Sequence, residues 1–141
     1  MTDGDPAAAR ARSTACRGTD LDLTGLRIRR AVRGLVLDPA ERVMLVRFEF
    51  PALTIWATPG GGQEPGEDDE ATLRRELDEE LGLCVEEIGP HIWTRTAIIP
   101  FLDGSFDGQR DHVYLVRTSA FTPAPSRPPS VTRSAAPAGR R

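Results

Sequence analysis

The alternation of apolar and polar residues predicts a series of short strands interrupted by one amphipathic helix. Strands are predicted over residues 29–37, 42–48, 53–57, 85–88, 92–101 and 112–117. Between the first two lies Asp38-Pro39-Ala40-Glu41, a turn with proline at its second position. We therefore expect the first two strands to form a hairpin.

The clearest element is a helix predicted over Asp68–Leu81. Leu73, Leu77 and Leu81 recur at intervals of four and form one apolar stripe along it. Acidic residues crowd its first turn, where negative charge suits the helix dipole. Gly82 follows as a C-cap residue. The helix therefore offers one apolar face to a core.

Both ends of the chain differ in composition from its middle. Residues 1–24 are rich in glycine, alanine and arginine and show no periodicity. Residues 119–141 hold five prolines, four serines and four arginines. We predict a disordered N-terminal arm over 1–24, a folded domain over 25–118 and a disordered tail over 119–141.

Charge and cysteine content argue against several classes of protein. The formal net charge of −3 gives no general attraction to nucleic acid or to a membrane surface. No apolar run has the length of a bilayer span, and the first residues lack the apolar stretch of a signal peptide. Cys16 and Cys84 are not expected to form a disulfide. We expect a cytoplasmic protein with no nucleic-acid or membrane partner, and the pattern specifies no oligomeric state.

The most informative stretch joins a glycine-rich loop to the predicted helix. It reads Gly61-Gly-Gln-Glu-Pro-Gly-Glu67, then seven residues, then Arg75-Glu-Leu-Asp-Glu-Glu-Leu-Gly-Leu83. At about 100° per residue, Glu76, Glu79 and Glu80 fall within one arc roughly 100° wide. Mg²⁺ and Mn²⁺ prefer carboxylate oxygens, and three carboxylates on one face repel each other unless a cation lies between them. Since glycine lets backbone approach closely, a carbonyl such as that of Gly61 can add a ligand.

This stretch resembles the box of the Nudix hydrolase family of MutT-like enzymes. That box reads Gly, five residues, Glu, seven residues, then Arg-Glu-aliphatic-x-Glu-Glu-x-Gly-aliphatic, and all nine specified positions are filled. A chance match is rarer than roughly one in a million. The resemblance implies an α/β fold with a mixed sheet in an α/β/α sandwich. It also implies metal-dependent hydrolysis of a diphosphate bond in a small nucleotide-type substrate, a nucleoside diphosphate linked to another moiety.

The family's residue roles carry over to the matching positions. In the family, glutamates at the positions of Glu76, Glu79 and Glu80 bind Mg²⁺ or Mn²⁺. The glutamate matching Glu67 supports the site, and the arginine matching Arg75 orients the carboxylates by ion pairing. The expected catalytic residues are Glu79, Arg75 and Glu67, and the expected metal ligands are Glu76, Glu79, Glu80 and Gly61.

Blander interpretations of these residues stay open beside the resemblance. An acidic helix face is usually only a solvated face, and it is the fixed residues around this one that favour a metal site. Arg33 and Arg47 lie on strands ahead of the box and could bind phosphate. Four aromatic residues could stack a base, although each is more typical of a core: Phe48, Trp56, Trp93 and Phe101.

The resemblance covers about residues 28–118, and family members usually continue with another strand region and a second long helix. Here the proline-rich tail stands in that place, so we expect the second helix to be missing or replaced by a disordered tail. A rival hypothesis is therefore a catalytically impaired Nudix-like domain that binds a nucleotide or a partner. A DNA-binding module would rest only on scattered arginines, since the sequence has no helix-turn-helix pattern.

Overall fold

The computed structural model describes residues 22–124. Within that range the chain forms six strands and one helix. They are β1 (Ile28–Leu37), β2 (Val46–Phe50), β3 (Leu53–Ala57), β4 (Gly60–Gly62), α1 (Asp69–Leu81), β5 (His91–Ala97) and β6 (Gly108–Arg117). The predicted mixed α/β class is confirmed.

Four strands form the main sheet, in the order β4-β1-β6-β5. The two central strands, β1 and β6, run parallel from the pair Ile28–Gly108 to the pair Leu37–Arg117. The outer strands β4 and β5 run antiparallel to their neighbours. A separate antiparallel hairpin is formed by β2 and β3.

The helix α1 covers one face of the main sheet, and the core lies between them. Leu73 and Leu77 are fully buried against Val32 and Val36 of β1. Gly34 lies under the helix, where an added methyl group would be 3.3 Å from the side chain of Leu73. In the described part of the chain α1 is the only helix, so one helical layer of the expected sandwich is seen. The expectations for the residues after 124 lie outside the described range.

The predicted pairing of the first two strands is confirmed at the turn and wrong beyond it. One edge of β1 is occupied by β6 along its whole length, and the other is shared by β4 and residues 43–44, so β2 does not join this sheet. The turn end of the expected hairpin does form: Leu37 bridges Val43, and the N–H groups of Asp38 and Met44 donate to the carbonyls of Arg42 and Val36. The strand β2 itself pairs with β3.

The strand predicted over 85–88 is also absent. The guanidinium of Arg74 donates to the backbone carbonyls of Val85 and Glu86. These carbonyls are therefore bonded by a side chain and not by a neighbouring strand. Val85 and Ile88 still pack against the core from this irregular segment, which explains their apolar character.

The ordered chain extends beyond the predicted boundary at residue 118. Phe121 packs against the core, and the backbone N–H of Ala124 donates to the carbonyl of Leu81 at 2.9 Å. This bond satisfies one of the carbonyls that the end of α1 leaves without a helical partner. The rest of the predicted tail and residues 1–21 of the predicted arm lie outside the described residues.

Two further expectations concern cysteine and the membrane. Cys84 is free and exposed, whereas Cys16 lies outside the described range. No helix among residues 22–124 combines the length and the apolar character that crossing a membrane requires.

The packing of Phe121 can be tested by substitution. We expect Phe121→Ala to lower the free energy of unfolding by about 1–2 kcal/mol, because it uncovers partly buried aromatic surface. Thr122→Ala changes the exposed neighbouring position and should cost less than about 0.5 kcal/mol. Urea denaturation measures both variants, and equal values would contradict the contact.

Candidate active site

The helix α1 is fixed at both ends, which sets the direction of its acidic side chains. Asp68 is its N-cap, and its carboxylate accepts the N–H of Ala71 at 2.8 Å. Gly82 ends it in the left-handed conformation at φ 63°, and the N–H of Leu83 donates to the carbonyl of Leu77. This bond and the left-handed Gly82 form a helix ending that favours glycine. With the leucine stripe buried, Glu76 and Glu80 lie at the edge of the core.

The glycine strand β4 lies directly against these two glutamates. The N–H of Gly60 donates to Oε2 of Glu80 at 3.1 Å. A Cβ atom on Gly61 would overlap the carboxylate of Glu76, and one on Gly60 would overlap the backbone of β1. Gly60 also has φ +140°, a conformation that other residues rarely adopt. The absence of side chains in β4 therefore lets the two carboxylates reach the backbone.

Burial changes the acidity of both glutamates. Only 6% of Glu76 and 8% of Glu80 is exposed. Burial raises the pKa of Glu76, although the guanidinium of Arg75 opposes the shift. Burial and then the charges of Glu76 and Glu79 raise the pKa of Glu80 to about 7, against the hydrogen bond from Gly60. Both carboxyl groups therefore hold their protons more tightly than an exposed glutamate does.

Arg75 connects the loop before the helix to the carboxylates on it. Its Nε lies 2.6 Å from Oε1 of Glu67, and its Nη2 lies 3.0 Å from Oε2 of the same residue. On the other side, its Nη1 lies 2.9 Å from Glu76 and 3.5 Å from Glu79. Arg75 therefore pairs with three of the predicted glutamates at once.

Glu67 is the anchor of this arrangement. Its carboxylate accepts from Arg75, from the N–H of Glu64 at 3.0 Å and from the hydroxyl of Thr72 at 2.9 Å. The Arg75 hydrogen bonds, and then the other two donors, lower the pKa of Glu67 to about 2 despite some burial. The fully buried Thr72 is a supporting residue that the sequence analysis did not identify.

The profile of the NUDIX domain family matches residues 27–134, which is most of the chain. This chain belongs to the Nudix family. Residues 61–83, whose geometry is described above, are its Nudix box.

Among curated relatives, the nucleoside triphosphatase NudI of Escherichia coli O1:K1 / APEC is 44% identical over 63 residues. The match covers 43% of this chain and 43% of NudI, and the same values hold for NudI of Escherichia coli strain K12 / DH10B. The Nudix chain therefore spans less than half the length of the curated relatives it matches.

Solved structures resemble the chain in fold. The MutT NUDIX hydrolase of Burkholderia pseudomallei gives a TM-score of 0.58 at 23% identity, over 72% of this chain and 76% of that one. The NUDIX domain of Shewanella oneidensis NrtR, solved with ADP ribose, gives 0.56 at 20% identity, over 75% and 71%. Identities this low support the Nudix fold and nothing finer.

Within residues 22–124, no three acidic, histidine or cysteine side chains converge closely enough to form a metal site. The chemistry of the Nudix box nevertheless fits a hard divalent cation. Its candidate donors are carboxylate oxygens, and Glu80 is buried beside the charges of Glu76 and Glu79, which a cation would neutralise.

The two candidate phosphate-binding arginines have different surroundings. Arg33 is next to the box, since its Nη1 donates to the carbonyl of Gly60 at 3.2 Å. Arg47 is on the β2–β3 hairpin, where it pairs with Glu49 at 2.6 Å and lies over the ring of Trp56. The structure therefore brings Arg33, and not Arg47, together with the box.

The ladder between β1 and β4 separates the roles of the glycines. Gly34 N–H donates to the carbonyl of Pro59, and Gln63 N–H donates to that of Arg30. By the alternation of an antiparallel ladder, the carbonyl of Gly61 faces β1, while the polar atoms of Gly60 point away from β1. The N–H of Gly60 donates to Glu80, and its carbonyl accepts from Arg33. Gly60 is thus a second backbone candidate, one that strand register shows and spacing in the sequence does not.

The anchoring role of Glu67 predicts a pH-dependent contribution to stability. At pH 7, Glu67→Gln should lower the free energy of unfolding by about 1–2 kcal/mol, because it removes the charged partner of Arg75. The pKa of Glu67 falls from 4.5 to about 2 on folding, so the full destabilisation by Glu67→Gln should be present above pH 4.5. It should disappear as the pH falls through about 2.

Glu64→Gln is the matched control, because Glu64 lies 3.9 Å from Arg75 and its side chain is 64% exposed. Denaturant titrations between pH 2.5 and 7 compare the two variants. A Glu67→Gln variant as stable as Glu64→Gln at pH 7 would contradict the anchor.

Proposed function

We propose that this Nudix chain is a Mg²⁺- or Mn²⁺-dependent hydrolase of a diphosphate bond in a nucleoside diphosphate linked to another moiety. The observation that carries the proposal is the packing of Glu76 and Glu80, with Glu79 beside them, against the glycine strand β4. The name of NudI, a nucleoside triphosphatase, supports this substrate class, since a triphosphate is a nucleoside diphosphate linked to phosphate. The cytoplasmic location stays a prediction.

The three helix glutamates would hold the ion, with the carbonyl of Gly60 as a further ligand. The carbonyl of Gly61, the ligand expected from the sequence, faces β1 and is less suited to that role. Bound Mg²⁺ or Mn²⁺ would neutralise phosphate oxygens and lower the pKa of a water molecule. Glu76 and Glu80 are buried, so they are suited to keeping the ion in place as ligands.

Glu79 is the best-placed residue to accept a proton from the attacking water. Its side chain is 24% exposed, against 8% for that of Glu76, so solvent and substrate reach it more readily. Arg75 holds Glu79 and Glu76 in place, and Glu67 holds Arg75. Removing either support should therefore disturb the carboxylates without removing them.

A second candidate function is nucleotide or partner binding without turnover. The observation that favours it is that, among the described residues, no three potential ligands converge as the side chains stand. Metal-dependent turnover separates the two functions, because a binding domain would show none.

The proposal is tested by hydrolysis of a panel of nucleoside triphosphates, ADP-ribose and dinucleoside polyphosphates with Mg²⁺, Mn²⁺ or EDTA. We expect cleavage of one substrate class with metal and none with EDTA. Glu79→Gln should lower kcat by at least about 100-fold, as loss of a general base does.

Glu70→Gln is the control, because it removes the same charge from a 60% exposed position on the same helix. It should retain activity within about twofold. Full activity of Glu79→Gln would contradict the assignment, and a folded protein that turns over nothing would favour the binding function.

A further inference from the structure

The face of the main sheet opposite α1 carries a cluster of charged side chains centred on Asp111. This carboxylate is 5% exposed although no helix of residues 22–124 covers this face, which we call the open face. Its Oδ1 accepts from Gln109 at 2.7 Å and from Nε of Arg33 at 3.3 Å, and its Oδ2 lies 3.6 Å from Arg95. Three strands, β1, β5 and β6, thus contribute to one cluster.

The cluster has more positive than negative charge. Two guanidinium groups share the single carboxylate of Asp111, and that of Arg33 also interacts with the charges of Glu76 and Glu80. Arg29 adds another guanidinium from the same face of β1, where it donates to Oε1 of Gln109 at 3.3 Å. Burial and then the charge of Arg33 lower the pKa of Arg29, against the charges of Glu76, Asp111 and Asp103.

This positive cluster borders the negative glutamates of the Nudix box. Arg33 joins the two, because it contacts Asp111 on one side and the carbonyl of Gly60 on the other. Gly60 in turn donates to Glu80. A phosphate chain needs both features, a cation site at the bond to be broken and fixed donors for its remaining oxygens.

An exposed aromatic ring, that of Trp93, lies on the same face beyond the cluster. Strand register aligns Gly60, Arg33, Val113 and Trp93 across the four strands. Three strand spacings make this line about 14 Å long. Trp93 alternates with Arg95 on β5, so it shares the open face, and it is 60% exposed. The sequence-based expectation that Trp93 is more typical of a core is therefore wrong.

We propose that this line is the binding site for the nucleoside part of the substrate: Arg33 and Arg95, positioned by Asp111, bind phosphate oxygens, and Trp93 stacks on the base. The identity of the ligand rests on the proposed function, whereas the site itself rests on the cluster and the register. Arginine suits this role because its planar fork matches phosphate oxygens, and base stacking on an aromatic ring tolerates any base.

Trp93 provides a direct probe of the site. The chain has two tryptophans, so Trp56→Phe leaves Trp93 as the sole tryptophan. In this background we expect ADP, GDP, CDP or UDP to quench the fluorescence saturably, in EDTA or in Ca²⁺. Inorganic pyrophosphate should compete with the nucleotide and restore the signal without quenching, because it has no ring to stack.

Arg95→Ala should then weaken nucleotide binding at least tenfold. Its side chain is 55% exposed, so the variant should fold. Arg110→Ala is the control on the neighbouring strand β6, where Arg110 bonds Thr96 and takes no part in the cluster; its affinity should stay within twofold. Absence of quenching by all four nucleotides in both conditions, or an affinity that Arg95→Ala leaves unchanged, would overturn the inference.

These titrations need no turnover, so their failure is distinct from failure of the proposed hydrolysis. Quenching without hydrolysis of the panel would leave the site standing and remove the hydrolase. Hydrolysis without quenching would support the hydrolase and remove this nucleoside site.

Discussion

The packing of α1 on the glycine strand β4 is the constraint on which the rest of the site depends. A strand without side chains lets the helix approach until Glu76 and Glu80 touch backbone. Burying two acids costs free energy that one hydrogen bond from Gly60 and one guanidinium offset only in part. A divalent cation would compensate the remaining cost of burying these carboxylates.

The same constraint gives two glutamates of one motif opposite pKa shifts. Glu67, surrounded by donors, has a pKa near 2, while Glu80, buried beside other acids, has a pKa of about 7. An acid that stays ionised is a reliable support, and a buried acid with a raised pKa is a suitable ligand for a cation that replaces its proton. Arg75 joins the two states, since it contacts Glu67 and Glu76 with the same guanidinium.

The sequence predicts the helix well because its signals are local. The leucine stripe, the acidic first turn and Gly82 are all within one segment, and the structure differs only in that Asp68 is the cap and not the first helical residue. Strand pairing is not local. Nothing near 42–48 shows that β4 and β6 pair with β1 while β2 pairs with β3. Nothing near 85–88 shows that Arg74 bonds those carbonyls.

The same distinction applies to the site. The spacing of the box brings the carboxylates together, whereas the cluster at Asp111 needs the register of β1, β5 and β6. Alternation along 112–117 could have put Asp111 on the face opposite Val116, but not beside Arg33 and Arg95. Whether Trp93 is core or surface depends likewise on what covers its face of the sheet.

The most direct test of the central claim is Mn²⁺ binding measured by electron paramagnetic resonance between pH 5.5 and 8.5. Because the pKa of Glu80 is about 7 and the ion must displace its proton, affinity should be constant well above pH 7. It should fall by up to about tenfold per pH unit below that, and Glu76→Gln should weaken binding at every pH. Affinity that neither acid pH nor Glu76→Gln reduces would contradict the assignment of the cation to these carboxylates.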